Sequence, residues 1–102
     1  MNYIVLQNIT LRDFNNELIT ETDYLHGEFN LPYLSPGVTF ITPALGLKGF
    51  EIVVDPRIEP KKYKVLDIEI SLLETGDAPI KVYLEPIALI IGQHDIGDVL
   101  QN

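Results

Sequence analysis

The sequence contains no cysteine. Disulfide bridges, zinc–thiolate centres and cysteine nucleophiles are therefore excluded. Small secreted domains are often stapled by disulfides, so the absence also points to an intracellular setting. Serine is almost missing: Ser35 and Ser71 are the only two. Ser35 stands in a Pro–Gly turn and Ser71 on a polar strand face. Neither has the Gly-x-Ser-x-Gly surroundings that expose a nucleophile. The glycines form no phosphate-binding loop. Basic residues are scarce, with 7 Lys and Arg against 15 Asp and Glu, for a formal net charge of −8. Nucleic acid and anionic membranes both demand positive charge, so neither is an expected partner. The longest apolar run, Ile87 to Ile91, has five residues. Spanning a bilayer takes roughly 20. Met1 to Leu6 lacks a basic start and a small-residue cleavage site, so it reads as a strand rather than an export signal.

Residue types able to do chemistry are present but dispersed. The two histidines are His26 and His94. His94, Asp95 and Asp98 are of metal-ligating type, yet two or three ligands in a tail fall short of a metal site. Asp67 and Glu69 share one face of a strand, where paired carboxylates are normally the solvated side rather than an acid–base pair. Asn8-Ile9-Thr10 fits the glycosylation pattern, a chance match in a chain without an export signal. No catalytic, cofactor-binding or metal-ligating residue is expected, no cofactor is implied, and the chain is not expected to be an enzyme.

What the sequence does have is alternation. Tyr3 to Leu11 alternates with period two, and Asn15-Asn16 supplies a tight turn before a second run from Leu18 to Glu21. Residues 22–37 look irregular, punctuated by Gly27, Pro32, Pro36 and Gly37. Short strands are expected at 38–42 and 50–54, with loops at 43–50 and 56–62. Residues 65–73 alternate strictly, with Leu66, Ile68, Ile70 and Leu72 on one face and Asp67, Glu69 and Ser71 on the other. Ile80, Val82 and Leu84 repeat the pattern after a polar loop at 74–79. Two such runs predict an antiparallel hairpin with one buried face. Pro86 interrupts, Ile87 to Ile91 resumes, and the tail from Gly92 is expected to end in a short strand or one helical turn. The expected fold is a single all-β domain spanning residues 1–102. It is a small antiparallel β-sandwich or partly open barrel of about seven short strands.

Function must then come from contact. The apolar fraction is 46%. A domain of this length hides only roughly 65% of its unfolded surface, which favours burying some of the rest between subunits. Bases cluster at Arg57, Lys61, Lys62 and Lys64, while Asp13, Glu17, Glu21, Asp23 and Glu28 precede them. Opposite patches on one molecule favour association of copies. Leu45 and Leu47 lie between glycines in an expected surface loop. Leu31, Tyr33 and Leu34 lie in the irregular stretch before it. These five residues are the expected protein-contact set. The expected function is that of a non-enzymatic structural or assembly protein, an accessory subunit (decoration, tail or head) of a bacterial virus particle, partnered by itself or a larger protein assembly. The alternatives are a small acidic inhibitor that mimics nucleic acid or binds a protein, and a ligand-binding β module.

Overall fold

The computed structural model describes residues 1–73 and 78–96. Among them are seven strands and no helix. These are β1 (Asn2–Arg12), β2 (Leu18–Asn30), β3 (Thr39–Thr42), β4 (Leu45–Lys48), β5 (Glu51–Val54), β6 (Lys61–Glu69) and β7 (Ile80–Ile90). They form a five-stranded sheet in the order β2-β1-β7-β6-β3 and a two-stranded sheet, β4-β5. The fold is an all-β sandwich-like pair of sheets that does not close into a barrel. The large sheet is mixed rather than purely antiparallel, because β1 and β7 pair in parallel at its centre. The whole length of chain from β2 to β6 separates them, far more than the dozen residues that a parallel crossover needs. Several strands are also longer than expected, β2 reaching 13 residues.

Strand β1 sets the inner face. Tyr3, Val5, Gln7, Ile9 and Leu11 are all buried, as period two requires. Its turn is built as the sequence suggests. The Asp13 Oδ1 accepts the N–H groups of Asn15 at 2.8 Å and Glu17 at 2.9 Å, and Asn16 takes a positive φ of 64°. Strand β2 then runs through residues expected to be irregular. Its first half, Leu18 to Asp23, is exposed on both faces, so no burial pattern marks it.

Two apolar clusters sit side by side on the inner face. One holds Tyr3, Val5, Val65, Val82 and Leu84, with Leu31, Leu34, Phe40 and Tyr63 packed against it. The other holds Ile9, Leu11, Leu89, Leu45 and Leu47. The latter is where the small sheet docks. Residues 45–48 and 51–54 are thus paired strands, joined by a turn in which Gly49 takes φ 64°; the expected 43–50 loop is corrected. Gly46 is required for a different reason. A Cβ there would lie 2.9 Å from the His94 carbonyl oxygen. The chain crosses so closely because Leu47 N–H donates to that carbonyl at 2.7 Å and Ile96 N–H donates to the Leu47 carbonyl at 2.7 Å. The part of the tail that is described therefore ends as a strand-like bridge beside β4.

The β6–β7 hairpin forms antiparallel as expected, with Asp67 and Glu69 outward. Its predicted buried face needs correction. Val65 pairs with Leu84 and Asp67 with Tyr83, so Leu66 is an extra residue in a bulge. The bulge inverts the alternation: Val65 is buried, Ile68 half-buried, and Leu66 is 55% exposed. Ile70 and Leu72 lie beyond the strand and are exposed as well; Val82 and Leu84 are buried as predicted, and Ile80, expected to be buried, is half-buried. Of the expected loop at 74–79, residues 74–77 fall outside the described residues.

Candidate functional site

Three irregularities of the large sheet converge on Gln7. Opposite Val5 and Leu6, β2 carries the extra residue His26. Opposite Asn8, β7 carries both Glu85 and Pro86, so the strand passes through the proline by bulging rather than stopping. Leu66 forms the third bulge. Gln7, between the two apolar clusters and fully buried, repairs the damage. Its Nε2 donates to the Glu85 carbonyl at 2.7 Å, and its Oε1 lies 2.8 Å from His26 Nε2. Because the amide nitrogen faces a carbonyl, the amide oxygen must accept from His26. That places the imidazole proton on Nε2 and leaves Nδ1 an acceptor. The ring stands edge-on to Tyr24, with centroids 5.0 Å apart. Burial holds the His26 pKa below its usual value. The Glu85 carboxylate meanwhile accepts the Lys64 N–H at 2.6 Å.

His26 forms part of the wall of an open cavity of about 420 Å³. Val5 lines it from β1, Phe29 from β2, Leu31 from the strap that follows, and Thr39, Phe40, Ile41 and Thr42 from β3. Side chains of successive strand residues point to opposite faces. Four consecutive residues can border one cavity only if the strand presents its edge. The edge of β3 opposite its pairing with β6, unpaired among the described residues, therefore looks into a mostly apolar cleft. Ile41 is 69% exposed at its rim and Phe29 43%.

The sheet's outer face has a different character. Leu6 pairs with Leu25 and Tyr83, and Tyr83 with Asp67, so these side chains share that face. The Tyr83 hydroxyl donates to Glu69. That bond, with burial and the charges of Glu69, Asp23 and Asp67, raises its pKa. Carboxylates from β2 and β6 thus flank one tyrosine. Lys81 is the register partner of Glu69, while Lys61, Lys62 and Lys64 of β6 lie at the other end of the sheet as register partners of β3.

The expected contact residues separate into two groups. Leu45 and Leu47 are core, 7% and 0% exposed, and offer no surface in this chain; their glycine neighbours made them look like loop. Leu31 and Leu34 are half-buried against the first cluster, while Tyr33 between them is 82% exposed. Only Leu31 of the five borders the cleft. The cleft's other residues, His26, Phe29 and Phe40, come from elements that sequence alone could not bring together. The Phe40 to Thr42 part of β3 was visible as a strand, but not as an edge.

The polar residues weighed earlier have local partners. His94 Nδ1 accepts the Ile90 N–H at 2.9 Å, Ser71 accepts the Leu73 N–H at 3.2 Å, and Asp98 lies outside the described residues. No group of three potential metal ligands occurs among the described residues, and they contain no helix long and apolar enough to cross a membrane. A buried carboxylate, Asp55, is held by Arg57, which donates from Nε and Nη2 at 2.9 Å each. Those bonds keep its pKa below the usual carboxylate value. It ties the end of β5 to Ala44, whose carbonyl accepts the Asp55 N–H at 2.8 Å. The chain matches no family model, no curated protein and no solved structure.

Proposed function

We propose that this chain is a non-enzymatic assembly protein that works by surface contact, as an accessory subunit of a larger particle of the kind a bacterial virus builds. The observation that carries this reading is the outer edge of β3, which no strand among the described residues pairs with and which borders an open apolar cleft. An unpaired strand edge is a template for another chain, and folded proteins normally blunt or cover it. The surface supports the same reading. The chain exposes 6813 Å², against about 5800 Å² for a compact monomer of its mass. Its Cα radius of gyration is 15.2 Å, against about 13 Å for a compact chain of this length. The experiment is sedimentation of extracts from the producing cells. The chain is expected in a fast fraction with other subunits or further copies. Recovery solely as a slow species of 11.5 kDa would contradict the reading.

The cleft also favours a second reading, that of a ligand-binding module. An apolar molecule with one hydrogen-bond donor suits walls of Val5, Phe29 and Phe40 beside the acceptor nitrogen of His26. Slow sedimentation together with saturable binding of an apolar fluorescent dye, lost on Phe29→Ala, would favour this alternative. The acidic-inhibitor alternative draws on the carboxylates of the outer face alone, and its test is binding to a basic protein.

A further inference from the structure

We infer that the occupant of the cleft is β3 of a second copy, added antiparallel to β3 about a two-fold axis, so that two five-stranded sheets join edge to edge. This inference rests on the assembly reading and names its partner. The two edges of the large sheet differ in a way that selects one of them. The β2 edge carries Glu21, Asp23 and Glu28 and no Lys or Arg. A second β2 would bring like charges together, which is how edges are guarded against pairing. The β3 edge reads Thr39-Phe40-Ile41-Thr42, with no charge, no proline and no bulge. The lysines behind it sit one strand back, on β6. Across a joined β6-β3-β3-β6 array those rows stand three strand spacings apart, roughly 14 Å. That exceeds the screening length of about 8 Å at physiological salt.

The symmetry fixes the contacts further. An antiparallel pair related by a two-fold normal to the sheet keeps the same face up in both copies. Residues of like parity then oppose each other, so either Phe40 or Ile41 meets its own counterpart on the axis. In both registers the incoming strand brings its own Phe40 to the inner side and its own Ile41 to the outer side. The first enters the apolar cavity, and the second covers the most exposed residue of the edge. Ile41, Phe29 and Val38, now 69%, 43% and 37% exposed, lie at or beside this contact.

The chain has no native cysteine, so an introduced thiol reports on a single position. Phe40→Cys and Ile41→Cys are expected to give a covalent dimer on mild oxidation, one of them efficiently. Thr22→Cys on the β2 edge is expected to stay monomeric. In parallel, light scattering of the purified wild type is expected to give twice 11.5 kDa. Ile41→Lys, at an exposed site, is expected to halve that mass with the melting curve still cooperative. A wild type that is monomeric at millimolar concentration overturns the inference. So does a dimer that survives Ile41→Lys, or one that cross-links through position 22. If the purified chain is monomeric yet sediments with large particles in extracts, the assembly reading stands and only the self-partner fails. If it is monomeric in both, both fail.

Discussion

Leu47→Ala tests whether the small sheet is part of the core. Leu47 is fully buried and packs in a cluster with Ile9, Leu11, Leu45 and Leu89. Removing the outer part of a buried leucine costs the transfer term plus a cavity term, about 3–5 kcal/mol in total. The β4–β5 sheet has only two strands and can settle partly into the space, which argues for the lower end, about 3 kcal/mol. A domain of this size loses about 4–8 °C of Tm per kcal/mol, so the melt should fall by roughly 12–24 °C. That is a large share of a typical net stability of about 5–15 kcal/mol. The assay is a circular-dichroism melt beside urea unfolding. Leu72→Ala is the control: at 92% exposure it should change stability by no more than about 0.5 kcal/mol. Equal melts for the two variants would refute the docking of β4–β5 on the large sheet.

The bulge at Leu66 makes a paired prediction: Ile68→Ser should lower Tm by several degrees more than Leu66→Ser, whereas an equally large fall for both would restore the unbroken alternation, which buries the two side chains alike. Gly46→Ala should destabilise, since its Cβ would press on the His94 carbonyl at 2.9 Å; unchanged amide protection at Leu47 and Ile96 in the variant would contradict the close crossing. Gln7→Ala strands the Glu85 carbonyl and the His26 N–H, each at about 1–3 kcal/mol, readable as a lower urea midpoint; a midpoint within error of wild type would contradict the relay. The pH dependence follows from His26, whose folded pKa lies below 6.5 because burial penalises the charged ring. Above that pH both folded and unfolded forms are neutral and nothing is gained or lost. As pH falls below 6.5 the unfolded chain takes the proton first, so stability declines until the folded pKa is passed. His26→Gln should remove this share of the decline below pH 6.5, and an unchanged slope would show that the ring is solvated.

Much of the fold was legible because unbroken strands advertise themselves. Tyr3 to Leu11 alternates in sequence and in burial alike, and the Asn15-Asn16 turn is where it was expected. Illegibility has a physical cause in each case. The first half of β2 buries neither face, so it leaves no apolar stripe to read. At Leu66 the alternation in sequence is perfect, but a bulge changes which residues the ladder counts, and no period-two argument detects that. Gly46 signals a close backbone approach from the tail, not a turn, and the two meanings of a glycine look the same in one dimension. The cleft was hidden for a further reason. Val5, His26, Phe29 and Phe40 border one cavity although the strand order places β2 and β3 at opposite ends of the sheet, so the sheet must curl to bring its two end strands around the same space.

Amide hydrogen exchange on the wild-type chain, followed as a function of protein concentration, tests the role of the β3 edge most directly. The account predicts that protection of Thr39 to Thr42 rises with concentration while that of β4, β5 and the β2 edge stays constant. Protection at β3 that does not change, in a chain whose mass does, would place the contact elsewhere and contradict the account.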